Sequence, residues 1–149
     1  MIWIMIVIAV FTIDYIIKKW AENNLKGKRR QPIGKTGCSL ILVHNKGFAG
    51  SKMKGKPQLV KAVHTAILVS FGVLCVLFGY FKKGNEWTAF GISLILGGGA
   101  SNLYDRFKKG YVTDYLGLPV AKKLVFNFSD LCIFAGALIV MMKELLEKS

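Results

Sequence analysis

The sequence predicts a membrane all-α protein, a four-transmembrane-helix bundle with a small β-containing surface loop after its first helix. Three observations carry this. Of the 149 residues 53% are hydrophobic, and the mean hydropathy is +0.44, more apolar than a soluble domain of this size needs for its core. Four apolar runs stand out, at about 1–17, 62–81, 87–103 and 125–142. Each approaches the roughly 20 residues a helix needs to cross about 30 Å of hydrocarbon. The net charge is +13, with the basic residues almost wholly outside those runs.

The first run is apolar for thirteen residues before Asp14. It lacks a basic leading region, and no small-x-small cleavage site follows Thr12, so it reads as a retained span and not as a cleaved signal. Residues 18–61 are the one sizeable soluble segment and carry twelve Lys or Arg. Within it the run Cys38 to His44 has β character, and Gly34, Gly37, Gly47, Gly50 and Gly55 punctuate its flanks, which predicts a small sheet on the membrane surface. Residues 82–86 make a tight turn. Residues 104–124 form a third loop that carries Asp105, Arg106 and Asp114, and the whole chain reads as a single membrane domain.

Composition also excludes function classes. The basic excess suits anionic lipid headgroups, worth about 1 kcal/mol per residue near a charged leaflet. A tethered loop with few aromatic residues does not suit nucleic acid. Cys38, Cys75 and Cys132 form no C-x-x-C and no metal spacing, and Cys75 and Cys132 read as small buried hydrophobes. No H-E-x-x-H motif, Gly-rich phosphate loop or His cluster is present, so no metal or cofactor is expected. An even number of spans puts the loops at 18–61 and 104–124 on one side. That side holds seventeen of the Lys and Arg against four on the other, so the positive-inside rule makes these loops cytoplasmic.

The polar residues in or beside the apolar runs are the candidates for chemistry, because an ionised side chain costs several kcal/mol at a bilayer centre. Asp14 and Lys18 are one helical turn apart. They make either a neutralising pair that snorkels to the interface or a pair that orients other groups. The segment Gly97 to Arg106, G-G-G-A-S-N-L-Y-D-R, offers small residues for close helix approach and then Asn102, Asp105 and Arg106. Asn127 and Asp130, three apart, share a helix face. Spacing alone leaves Asp114 and Asp130 open between two unrelated interfacial acids and a meeting pair. If they meet, two carboxylates a few ångströms apart share one proton. One then takes a proton from water attacking a peptide carbonyl while the other donates to the carbonyl oxygen.

The blocks D-Y-I-I-K (Asp14 to Lys18), H-N-K-G (His44 to Gly47), G-G-G-A-S-N-L-Y-D-R (Gly97 to Arg106), G-Y-V-T-D-Y (Gly110 to Tyr115) and F-N-F-S-D (Phe126 to Asp130) resemble the lipoprotein signal peptidases, or signal peptidase II. The likeness covers most of the chain in order, and its last three blocks are the specific ones. It implies an intramembrane aspartic endopeptidase of the bacterial cytoplasmic membrane, which cuts the signal peptide from prolipoproteins before a cysteine carrying diacylglycerol. By resemblance Asp114 and Asp130 are the catalytic pair. Asn45, Asn102, Arg106 and Asn127 line the site and contact substrate, and Asp14, Lys18 and Gly47 support it. The resemblance also implies a β-cradle from residues 18–61 outside the cytoplasm, against the charge count, and inhibition by globomycin-like cyclic peptides. The expected partners are the lipidated substrate and anionic membrane lipids, with the protein a monomer.

Three departures stand out. Phe48 to Lys52 follow Gly47 where small residues and then Phe are usual, Ser129 stands where Ala is common, and Tyr15 follows Asp14 in place of Gln. The first touches the substrate-gripping loop and so bears on substrate range. The rival readings are a small proton-coupled multidrug-type exporter and a non-enzymatic membrane scaffold. The first usually lacks so long a soluble loop and carries its acid near the middle of its first span, and Asp114 in the third loop argues against both.

Overall fold

The computed structural model describes residues 1–47, 57–82, 84–121 and 124–147. Its helices are α1 (Ile2–Leu25), α2 (Pro57–Leu77), α3 (Glu86–Lys109) and α4 (Phe128–Glu147). The strands are β1 (Gln31–Pro32), β2 (Ser39–Asn45), β3 (Val112–Gly117) and β4 (Val125–Phe126), and a short 3-10 turn spans Pro119–Ala121. The departure at Phe48 to Lys52 lies outside the described residues.

Helix α3 packs against each of the other three helices. Three successive glycines make this possible, each turned to a different neighbour by the 100° step of the helix. A Cβ at Gly97 would lie 2.8 Å from Val10 Cβ and 2.9 Å from the Val7 carbonyl of α1. One at Gly98 would lie 2.6 Å from the Ser129 carbonyl of α4, and one at Gly99 would lie 2.6 Å from Leu68 of α2. Gly91 and Gly136 make the equivalent contact lower on the α3 and α4 pair. Small residues let backbones approach where a larger side chain would hold them apart.

The helices are not coextensive with the apolar runs. Helix α1 continues to Leu25, so Asp14 and Lys18 lie well inside it, and α3 continues to Lys109 through Asn102, Asp105 and Arg106. Helix α4 begins only at Phe128, because Val125 and Phe126 belong to a strand. Backbone hydrogen bonds set these ends, whereas hydropathy marks only where the apolar residues stop. Gly110 ends α3 in the left-handed conformation, φ 81°, with its N–H donated to the Arg106 carbonyl, and the chain turns from there into β3.

The four strands form one antiparallel sheet in the order β1-β2-β3-β4. It is therefore not the product of residues 18–61 alone: β3 comes from the third loop, and β4 from the start of the run read as the fourth span. The reason is pairing. A lone hairpin is marginal in water, and β2 gains a second edge partner in the V-T-D-Y-L run of β3. The sheet sits over the ends of α1 and α4 through a core of Ala21, Leu25 and Tyr115, with Ile17, Leu40, Leu42, Leu116 and Phe128 packed around it.

Among the described residues one helix, over Gln58–Leu77, is long and apolar enough by composition to cross a membrane. The other three carry interior polar groups or glycines, yet α1 and α4 turn apolar side chains outward. Ile4, Met5, Ile8 and Ile16 of α1 are exposed, as are Phe134, Leu138, Met141 and Met142 of α4. Cys75 and Cys132 are buried and unoxidised.

The glycine contacts generate a prediction. Gly98→Ala places a methyl against a backbone carbonyl that cannot move without shifting α4, and overpacking of this kind costs ~1–3 kcal/mol. A lowered thermal unfolding midpoint in detergent, with substitution to alanine at the exposed Val120 (Val120→Ala) having little effect, is the expected result.

Candidate active site

Eight polar residues singled out in the sequence, together with the backbone of Gly47, form one continuous hydrogen-bonded network. It runs from Asp14 through Lys18, Asn102, Asp130, Asn127, Asp114, Asn45 and Gly47 to Arg106, and each link is short. Lys18 Nζ lies 2.7 Å from Asp14 Oδ2 and donates to Asn102 Oδ1 at 2.7 Å. Asn102 Nδ2 donates to Asp130 Oδ1 at 2.9 Å, and Asn127 Nδ2 donates to Asp114 Oδ1 at 2.8 Å and to Asn102 Oδ1 at 3.1 Å. Asn45 Nδ2 donates to Asp114 Oδ2 at 3.1 Å, Gly47 N–H to Asn45 Oδ1 at 3.1 Å, and Arg106 Nη2 to the Gly47 carbonyl at 2.7 Å.

The amide orientations follow from donor-only partners. Lys18 can only donate, so it fixes the oxygen of Asn102 and turns the Asn102 nitrogen to Asp130. The backbone N–H of Asp130 fixes Asn127 Oδ1, at 2.9 Å, and that of Gly47 fixes Asn45 Oδ1. Both amide nitrogens then point at Asp114.

The start of α4 places Asp130. Asn127 caps the Asp130 N–H, and Asp130 Oδ2 accepts the Asn127 N–H at 3.1 Å, a reciprocal capping box three residues wide. The intervening amides find partners on other elements: Phe128 N–H on the Tyr115 hydroxyl of β3 at 3.0 Å, and Ser129 N–H on Asp14 Oδ1 of α1 at 3.1 Å. A helix start leaves its first amides unpaired. Here each of these has an acceptor, and the acceptors tie α4 to β3 and α1.

Asp14 and Lys18 are 0% and 1% exposed, which removes the snorkelling alternative. Asp14 Oδ2 accepts the hydroxyls of Ser101 at 2.5 Å and Ser129 at 2.6 Å. Lys18 also lies 3.4 Å from Asp105 Oδ2. Asp105 in turn accepts the Thr113 N–H at 3.1 Å and pairs with Lys109 at 2.8 Å, which holds the start of β3 against the end of α3.

Asp114 is 3% exposed. Burial first, and then the neighbouring Asp130 carboxylate, push its carboxyl from the ordinary 3.8 up to about 7, against the lowering effect of the Asn45 and Asn127 amides. Asp130 is half-buried. Among the described residues no group of His, Cys, Asp and Glu has the arrangement to hold a metal.

Sequence reasoning missed Ser101, Thr113, Tyr115 and Glu22 as members of this cluster and met Ser129 only as a departure. One signal was available for Glu22, which falls one turn beyond Lys18 and two beyond Asp14 on the same helix face. The others bond from strands or neighbouring helices, and no local spacing marks such contacts.

A helical bundle capped by a small sheet is a fold this chain shares with solved structures described as bacterial membrane enzymes. A bacterial membrane enzyme structure determined by the in meso method aligns with a TM-score of 0.83 at 21% identity, covering 99% of this chain and 89% of its own. A second of the same description gives 0.80 at 21% identity, with 96% and 92% covered. The model of the signal peptidase (SPase) II family matches residues 6–146, and the chain belongs to this peptidase family. The lipoprotein signal peptidase of Caldicellulosiruptor bescii is 34% identical over 142 residues, 94% of this chain and 88% of that protein. That of Clostridium acetobutylicum is 30% identical over 140 residues, 92% and 89% of the two chains.

The network predicts a large penalty for unpairing its buried ions. Lys18→Met leaves Asp14 charged without its cation and costs ~3–5 kcal/mol. Pairing it with Asp14→Leu recovers much of that loss. Thermal unfolding of the single and double variants in detergent is the measurement.

Proposed function

We propose that this protein is an intramembrane aspartic endopeptidase that removes signal peptides from diacylglyceryl-modified prolipoproteins, with Asp114 and Asp130 as its catalytic pair. The observation that carries the reading is Asn127, whose side chain and backbone N–H hold the two carboxylates from one residue. Family membership supplies the reaction class, and the names of the relatives supply the substrate. The outward apolar faces support a reading in which all four helices cross the bacterial cytoplasmic membrane. The sheet and the polar cluster then lie at its outer face, where lipidated precursors emerge, and the basic residues of 19–35 meet anionic headgroups.

In this mechanism Asp114 carries the shared proton at neutral pH, because its buried carboxyl ionises only with difficulty. Asp130, held by two N–H donors, takes a proton from water as it attacks the scissile carbonyl. Asp114 donates to the developing oxyanion; as the C–N bond breaks, Asp130 passes its proton to the leaving amine nitrogen and Asp114 takes its own back from the hydroxyl that becomes the carboxyl product. Asn45 and Gly47 stand at the border of the site, held by Arg106, in position to meet the extended substrate backbone.

The direct test expresses the chain in cells lacking prolipoprotein processing and follows a lipidated precursor by gel mobility. The parent chain processes the precursor. Asp114→Asn and Asp130→Asn each abolish processing, by at least about a thousandfold in kcat as expected for loss of an essential acid or base, while both proteins still insert. Cleavage retained in either variant overturns the dyad.

The raised Asp114 carboxyl also sets a pH dependence. Above about 7 it loses the shared proton, so kcat/KM falls with rising pH along a limb centred near that value. For stability the sign is opposite to that of a salt-bridged acid. A raised folded value contributes stability below the ordinary 3.8 that is lost as pH rises to about 7. Asp114→Asn, uncharged throughout, therefore loses less stability than the parent as pH rises through about 7, by thermal unfolding, although inactive.

A further inference from the structure

The last turns of α1 meet the β2–β3 ribbon in a polar cluster that the proposed mechanism does not use. Glu22 spreads its two carboxylate oxygens over the ribbon: Oε2 lies 3.0 Å from His44 Nε2 and Oε1 accepts the Thr113 hydroxyl at 2.8 Å. His44 and Thr113 are direct cross-strand partners, so one carboxylate spans both strands on one face. His44 also stacks on Tyr111, with ring centroids 4.1 Å apart and 25° between planes. Lys109 donates to the Thr113 hydroxyl at 3.0 Å, and Asp105 accepts the Thr113 N–H at 3.1 Å.

One residue further along each strand lie Asn45 and Asp114. Because side chains alternate faces, these two project to the side opposite Glu22, where Asn45 donates to Asp114 diagonally across the ribbon. The block Val43–Asn45 against Val112–Asp114 is short, and the register of β2 breaks between Leu40 and Val43 just before it. A strand segment beyond such an irregularity is re-aimed by it and is not held by the ladder on its far side. Thr113 is fully buried under this cluster, whereas His44 is exposed at its edge.

We propose that Glu22 is a positioning residue, a clasp that fixes His44 and Thr113 on one face of the ribbon and thereby aligns Asn45 with Asp114 on the other. This rests on the reading of Asp114 as catalytic, and it adds a control point on α1 outside the dyad. Clasped, the ribbon keeps Asp114 dry and its amide donor in line. Unclasped, the ribbon can slip or splay, water reaches Asp114, and the hydrogen bond from Asn45 lengthens.

The test compares Glu22→Ala, Glu22→Gln and His44→Phe with the parent as full chains in detergent or lipid, by two readouts. The first is amide hydrogen exchange over residues 43–45 and 112–114, which needs no activity. The second is cleavage of a lipidated precursor as a function of pH. Glu22→Ala loses exchange protection at those amides, lowers kcat on the order of tenfold with KM nearly unchanged, and moves the high-pH limb toward acid as Asp114 becomes hydrated. Glu22→Gln, which still accepts from Thr113 and still reaches His44, restores most of both. His44→Phe keeps the stack on Tyr111 and removes only its bond to Glu22, so it gives a partial loss in the same direction and serves if Glu22→Ala does not fold. Unchanged protection and an unmoved limb in Glu22→Ala, or equal impairment in Glu22→Gln, overturn the clasp. A parent chain that shows the exchange pattern but cleaves no lipidated precursor refutes the enzymatic reading and leaves the clasp standing.

Discussion

The rest of the structure depends on keeping Asp14 and Lys18 charged in a place that water does not reach. Neither ion is tolerable alone, since an unpaired buried charge costs several kcal/mol, and a mutual pair still leaves lone pairs and N–H groups to satisfy. The protein answers by bringing other elements to them. Ser101 and Asn102 arrive on α3 and Ser129 on α4, while Asp105 stands beside Lys18 from the end of α3. The position of three helices is thus written into the coordination of two side chains one turn apart.

That coordination requires close backbones, which explains the glycines. Ser129 reaches Asp14 because its own carbonyl can lie against Gly98, and Asn102 reaches Lys18 because Gly97 lets α3 settle on Val7 and Val10. With larger residues the helices would stand further apart and the short bonds would not form. The small residues of α3 and the polar residues of its last turns are two halves of one device: the first sets the spacing and the second uses it.

The sheet closes the arrangement from the other side. β3 carries Asp114 and Tyr115, one bonded to the side chain of Asn127 and the other to the first amide of α4. The helix start that positions Asp130 is therefore completed by a residue next to Asp114. Displacing β3 disturbs both carboxylates together. The proposed mechanism needs this, because a proton shared between two acids depends on their separation and on the water admitted between them. The clasp at Glu22 extends the same dependence to the far end of α1.

What the sequence determined by itself was the family and the residue types. The blocks around Asp14, Asn102, Asp114 and Asp130 point to signal peptidase II, the family to which the chain belongs. Asn127 and Asp130 three apart already describe a capping box, because that interaction is local. Hydropathy misjudged where helices end, since α1 and α3 run on through charged residues whose partners lie on distant elements. The third loop supplied an inner strand of the sheet for the same reason: a strand is completed by a neighbour that its own spacing does not reveal. Only the tertiary structure decided that Ser101, Ser129 and Thr113 belong to the cluster, that Lys18 is dry, and that Glu22 lies over the ribbon holding Asp114. Apart from Glu22 to His44, which spans 22 positions, the contacts that carry these run across 83 or more, from Lys18 to Ser101 upward, and such contacts are set by packing and not by any pattern along the chain.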